Sequence, residues 1–166
     1  MEQKTDRFRK QRCCFTGHRP EKLLIPETIV KMHLKKEIET AISEGFCTFI
    51  TGMARGVDMW AAKIVLDLRK NNSSIHLICA VPYKGFEKKW SEKEQIMYNY
   101  ILASADIIRY ISERYSEAAF QKRNIWMVDR SARVIAVYSG EKGGTENTIK
   151  YAEKTGVPVV NICSNI

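Results

Sequence analysis

Short apolar runs alternate along the chain with longer stretches in which apolar positions return every three or four residues, and polar or glycine-bearing segments separate the two. The first run, "RCCFTG", predicts a strand ending near Thr16. After the loop "HRPEKLLIP", a helix is predicted from Pro26 or Glu27 to Ser43, because Leu34, Ile38, Ala41 and Ile42 fall on one helical face. Pro26 suits the opening of that helix and Gly45 its end. "CTFIT", Cys47 to Thr51, predicts the second strand. Its helix runs on to about Lys70, with Trp60, Ala61, Ile64, Val65 and Leu68 as the inner face. The third run, "IHLICAV", is apolar almost without a break, as in a parallel strand covered on both sides, and Pro82 reads as its stop.

A basic, aromatic loop, "YKGFEKKW", then leads to a helix from Ser91 to Ala105. "DIIRYI" predicts a fourth strand, "EAAFQKRNIWMVDRS" a fourth helix and "RVIAVY" a fifth strand. "GEKGGT" is the loop after it, before a helix from Thr145 to Thr155 and a last strand, "PVVNI". Six strands alternating with five helices imply right-handed crossovers. The fold class is therefore α/β, a Rossmann-like three-layer sandwich with a mostly parallel six-stranded sheet.

At 166 residues the chain is one domain in size, read as a basic N-terminal segment over residues 1–11 and a single domain over residues 12–166. No apolar run approaches the ~20 residues of a membrane span, and no apolar h-region follows the first basic residues, so the cytoplasm is the expected compartment. The five cysteines are odd in number, lack a C-x-x-C pair and sit in or beside apolar runs. They read as reduced, packed thiols with no metal role; Cys13 and Cys14, adjacent on a strand, point to opposite faces. The formal charge of +8 gathers partly in Lys4, Arg7, Arg9, Lys10 and Arg12, and partly in Lys84, Lys88 and Lys89. Such a surface suits anionic partners, either phosphorylated small molecules or nucleic acid, and equally serves solubility.

In an open parallel sheet, ligands bind beyond the carboxyl ends of the strands. Three loops there hold more special residues than a connection needs. In "TGMARGVD", Gly52 and Gly56 permit close backbone approach and positive φ, a helix start near Gly56 offers free N–H groups to a phosphate, and Arg55 adds a forked cation. Asp58 reads as a cap or as an acceptor for sugar hydroxyls. A plain strand-to-helix turn explains the same residues. In "GEKGGT", Gly143 and Gly144 form an anion nest, Thr145 caps the helix or touches a ligand, and Glu146 suits the positive end of the helix dipole. "TGHRP" brings Thr16 and Gly17 to the end of the first strand; Arg19, held extended before Pro20, is an anion-binding candidate, whereas His18 reads as a packing residue. Arg123 and Asn124 are weaker binding candidates on the fourth helix, and Asp129 reads as structural. None of the loops matches a Walker or G-x-G-x-x-G pattern, which disfavours ATP hydrolysis and ordinary dinucleotide reduction.

Together "GHRP", "TGMARGVDMWAA", "QKRNIWMVDRS" and "GEKGGTENTIKYA" resemble the YpsA-like group of the SLOG superfamily, which takes its name from the Smf/DprA and LOG proteins. The resemblance runs from about Cys13 to Ile162. It implies a Rossmann-like domain that binds nucleotides or nucleotide derivatives at its glycine-rich loops, homo-oligomers, and a sensor role linked to stress and cell division in Gram-positive bacteria. The LOG branch hydrolyses the N-glycosidic bond of nucleoside monophosphates with a glutamate three residues after a threonine. Here the residue three after Thr145 is Thr148 and Glu146 follows directly, so that activity does not carry over.

Three readings follow. The first is a binding or sensor domain for an ADP-ribose-like or NAD-like ligand, without a certain cofactor. The second is a phosphoribohydrolase, with Asp58 or Glu146 as weak catalytic candidates. The third is DprA-like binding of single-stranded DNA, with Tyr83, Phe86 and Trp90 interleaved among lysines.

Overall fold

The computed structural model describes residues 7–166. Its strands are β1 (Arg12–Gly17), β2 (Thr48–Thr51), β3 (His76–Tyr83), β4 (Ile107–Ser112), β5 (Arg133–Val137) and β6 (Val159–Asn161). The connecting helices are α1 (Glu27–Ser43), α2 (Val57–Arg69), α3 (Glu92–Ser104), α4 (Glu117–Asp129) and α5 (Gly144–Lys154). All pairings are parallel and the sheet order is β4-β3-β2-β1-β5-β6. Cys13 is opposite Phe49 on one side and Arg133 on the other, which fixes the central register.

Alternation along β1 assigns its side chains to two apolar layers. Cys13 and Phe15 join Phe49, Leu77 and Ile135 beneath Leu34, Ile38 and Val65, so α1, α2 and α3 cover that face. Cys14 joins Ile50, Ala80 and Val134 beneath Met127, Val128 and Ala152, so α4 and α5 cover the other. The two adjacent thiols thus face opposite layers, and burial pushes that of Cys14 up to about 12. Strand order reverses at β1: β2 lies on one side, and β5, reached only after three further crossovers, on the other. The carboxyl ends of β1 and β5 therefore open into a crevice.

Several boundaries differ from expectation for local reasons. β2 begins at Thr48, one residue later than Cys47. β3 does not stop at Pro82 but runs to Tyr83. β2 ends at Thr51, opposite Cys79, so no strand lies beside Pro82 on that side and its missing N–H breaks no bond there. α2 is buried over more than one stripe: Asp58, Met59, Ala62 and Leu66 are covered as well as Ala61 and Val65, because α1 and α3 flank it. Trp60, Ile64 and Leu68 are only partly buried. After β6 the chain closes in a short 3-10 turn, Ile162–Asn165.

Of the basic N-terminal stretch, residues 1–6, including Lys4, lie outside the described residues. Residues 7–9 form a helical turn, and Arg9 Nε donates to the Ser131 carbonyl at 3.1 Å. No described helix is long and apolar enough to cross a membrane. Among the described residues, no group of His, Cys, Asp or Glu is arranged to hold a metal.

Candidate functional site

The crevice is a cavity of about 750 Å³ with contributions from the loops after β1, β2, β3 and β5 and from α4. β1 delivers Thr16 and Gly17. A Cβ on Gly17 would lie 2.6 Å from the Val57 side chain, so the bare backbone is what lets the strand end meet the start of α2. Arg19 is extended before Pro20, as expected, and exposed at the cavity rim. His18 is buried: its Nε2 accepts the Ser139 N–H at 3.4 Å, its ring leans on Tyr138, and burial lowers its pKa. It packs as expected, and it also lines the cavity.

The loop after β2 corrects the reading of its glycines. Positive φ falls on Met53 (60°) and Gly56 (84°), not on Gly52. A Cβ at Gly52 would stand 2.8 Å from both Arg123 Nη1 and Asp58 Oδ2, so this glycine makes room for two buried charged groups. A Cβ at Gly56 would meet the Pro20 ring at 2.8 Å. Both glycines serve packing behind the lining, and the cavity wall at this loop is made by Ala54, Arg55 and Asp58.

Asp58 lies in the first turn of α2. Its Oδ2 accepts the Ala54 N–H at 3.2 Å, while Oδ1 is buried without a partner among the described residues. Burial pushes its carboxyl up to about 6, against the pull of Arg123 and the Ala54 N–H. Arg123 is itself buried, which lowers its pKa. Its Nη1 donates to the Gly52 carbonyl and its Nε to Asn124 Oδ1 at 2.8 Å. Both Arg123 and Asn124 reach the cavity. Asp129 does not; it accepts the Tyr151 hydroxyl at 2.6 Å and ties α4 to α5.

Arg55 is held by protein carboxylates: Nη2 lies 2.6 Å from Glu21 and Nη1 3.5 Å from Glu94. The second carboxylate also closes the capping box of α3, where Ser91 is the cap. Across the cavity, Gly143 caps α5 and Gly144 opens it, so Thr145 sits within the first turn and lines the cavity rather than capping. Glu146 is paired with Lys150 at 3.1 Å and is not among the lining residues.

To Tyr83, Phe86 and Trp90, grouped in the sequence among lysines, the structure adds Phe120. Tyr83, Phe86, Trp90 and Phe120 line the cavity together, Phe86 meeting Trp90 edge-on at 4.8 Å and Tyr83 meeting Phe120 at 6.0 Å. The signal for Phe120 was its spacing: Phe120, Arg123, Asn124 and Met127 make an i, i+3, i+4, i+7 stripe, and all four face the cavity. Lys22, Lys89 and Lys142 join Arg19 in giving the rim an excess of positive charge. The arrangement offers an aromatic surface, a helix N-terminus flanked by cations, and buried polar groups between them.

Comparison with known proteins adds the following. The sequence model YpsA, described as the YspA SLOG family, matches residues 13–162. The uncharacterized SPbeta prophage-derived protein YoqJ of Bacillus subtilis is 37% identical over 129 residues, covering 70% of this chain and 75% of that protein. A UPF0398 protein of Bacillus velezensis is 29% identical over 160 residues, covering 89% of this chain and 88% of its own length. Among solved structures, DNA processing protein A (DprA) of Streptococcus pneumoniae is similar with a TM-score of 0.66 at 18% identity, over 93% of this chain and 50% of that one. DprA of Helicobacter pylori, described by its single-stranded DNA binding mode, is similar with a TM-score of 0.65 at 19% identity, over 94% of this chain and 66% of that one. The chain thus spans half of the first DprA chain and just under two thirds of the second, and the likeness is one of fold.

Proposed function

The chain belongs to the YspA SLOG family, and from that premise we propose that it binds a phosphorylated nucleoside or a derivative of one, of the ADP-ribose or NAD kind, in the crevice beside β1. The observation that carries the reading is the pairing of chemistries across one cavity. Tyr83, Phe86, Trp90 and Phe120 stand on one wall, and the α5 N-terminus with Lys142 on another. An aromatic wall receives a base, and free helix N–H groups beside cations receive a phosphate. Asp58, a carboxyl among the lining residues, is the acceptor for a sugar hydroxyl. A volume of about 750 Å³ lies within the ~300–1,000 Å³ of ordinary ligand sites.

A sensor or carrier role fits better than hydrolysis. Glu146 is engaged with Lys150, and Asp58 is the one carboxylate of the two candidates left at the cavity. Binding of single-stranded DNA is a second reading, favoured by Lys89 beside Trp90 on the aromatic wall and by the description of the Helicobacter relative in fold.

Calorimetry with NAD, ADP-ribose and nucleoside monophosphates, and separately with a single-stranded oligonucleotide, decides between them. Saturable binding of at least one nucleotide is expected, weakened roughly 10- to 150-fold by Arg19→Ala, since a charge-assisted contact contributes ~1.5–3 kcal/mol. Heat from the oligonucleotide alone, lost in Arg19→Ala, would transfer the site to the second reading. Release of free base from a monophosphate, followed by chromatography, would restore the hydrolase.

A further inference from the structure

The fold gathers basic residues at the sheet edge opposite the cavity. Arg7, Arg9, Lys10 and Arg12 come from the chain before and at the start of β1, and Arg130 and Arg133 bracket the turn between α4 and β5. Backbone and side-chain bonds hold these segments together. Arg9 Nε donates to the Ser131 carbonyl, and the Ala132 N–H donates to the Arg12 carbonyl at 2.9 Å. The like charges are close enough to affect one another: burial lowers the pKa of Arg12, and the neighbouring Arg130 lowers it further. Glu44 pairs with Arg133 at 2.6 Å, and Asp129 is occupied by the Tyr151 hydroxyl.

Each of three arginines also lies over an aromatic ring. Arg12 stands 5.7 Å from the Phe8 centroid, Arg130 4.2 Å from that of Trp126, and Arg133 4.6 Å from that of Phe46. Stacking steadies a guanidinium by one face; Arg133 turns its edge to Glu44 and Arg130 donates to the Trp126 carbonyl, so the exposed Arg7 and Lys10 are the cations that meet phosphate oxygens. Phe8 is 57% exposed and stands among these cations, with Arg12 over one face of its ring.

The geometry points to a second, independent anion-binding surface at this edge, whose partner is the backbone of a single-stranded nucleic acid. Cations alone would suit an acidic polypeptide equally well. Phe46 and Trp126 pack against the core beneath their arginines, but the exposed Phe8 ring favours unpaired bases, which stack on aromatic side chains, whereas a duplex hides its base faces and a glutamate-rich segment has none. This surface lies at the amino ends of β1 and β5, whereas the nucleotide cavity lies at their carboxyl ends, so either assignment can fail without the other.

The test is fluorescence anisotropy of the full chain with a labelled mixed-sequence single-stranded oligonucleotide across a salt series. The expected result is binding that weakens with salt, each neutralised phosphate adding ~0.7 to the log–log slope. Arg7→Glu with Lys10→Glu, both on exposed positions, should lower affinity at least about tenfold and flatten the slope. Phe8→Ala should lower affinity at unchanged slope, and nucleotide binding in the cavity should be untouched by either change. Three results would each overturn the assignment. They are absence of binding at low salt, loss of binding in Arg19→Ala but not in Arg7→Glu with Lys10→Glu, or displacement by poly-glutamate as efficient as by unlabelled oligonucleotide with no effect of Phe8→Ala.

Discussion

Gly52 stands between two buried charged groups, and its role can be measured as stability. A methyl group there would stand 2.8 Å from both the Arg123 guanidinium and the Asp58 carboxylate. Both groups are buried, so Gly52→Ala should cost about 2–3 kcal/mol, at the upper end for overpacking. A urea titration checks this, and a loss below ~0.5 kcal/mol would mean the buried pair relaxes freely. Asp58 adds a pH dependence. Its folded pKa of about 6 lies above the ~3.9 of an unfolded aspartate, so the folded state holds the extra proton between those values. Stability from this group is complete below about pH 4 and falls as pH rises through about 6, by on the order of 2–3 kcal/mol. The difference in unfolding free energy between the wild type and Asp58→Asn, followed from pH 4 to pH 7, should shrink accordingly. Comparing the two proteins also removes the contribution of His18, which titrates in both. A difference that does not change with pH would contradict the account. At this scale the sequence was only half legible. It marked Gly52, Asp58 and Arg123 as special, but the partner of each lies on another element, and spacing within "TGMARGVD" cannot reveal Arg123 behind Gly52.

Between elements, the arginine of the β2–α2 loop acts as a tie. Arg55 joins the short turn at Glu21 to the start of α3 at Glu94, across one side of the cavity. Both pairs are partly exposed, so each contributes only ~0–1 kcal/mol. The capping box is the firmer element. Ser91 accepts the Glu94 N–H, and Glu94 in turn accepts the Ser91 N–H. Ser91→Ala should destabilise α3 by about 1 kcal/mol, read as a drop in the denaturation midpoint. An unchanged midpoint would mean that α3 is held by packing alone. Helices with one apolar stripe, such as α1 with Leu34, Ile38 and Ala41, could be read from periodicity. α2 could not be read fully, because neighbours on both flanks bury residues off its stripe. β3 runs past Pro82 because the β2 ladder beside it ends earlier, a fact of register that lies outside its own sequence.

For the whole molecule, alternating strands and helices sufficed to predict a parallel sheet, while the order β4-β3-β2-β1-β5-β6, and hence the crevice beside β1, required the assembled fold. The order makes β4 an edge, with Ile107 and Tyr110 exposed and its strand less covered than β1 or β5. Native-state hydrogen exchange should therefore find the amides of β1 and β5 slowest and those of β4 markedly faster; equal protection would argue for a covered edge. The central claim, a nucleotide in the crevice, is tested most directly by amide chemical-shift mapping of the ¹⁵N-labelled chain during titration with ADP-ribose. Saturable shifts are expected in the stretches that line the cavity, Thr16–Arg19, Ala54–Asp58, Tyr83–Trp90, Phe120–Met127 and Lys142–Thr145. No shift at saturating ligand, or shifts confined to the Arg7–Arg12 edge, would contradict that claim.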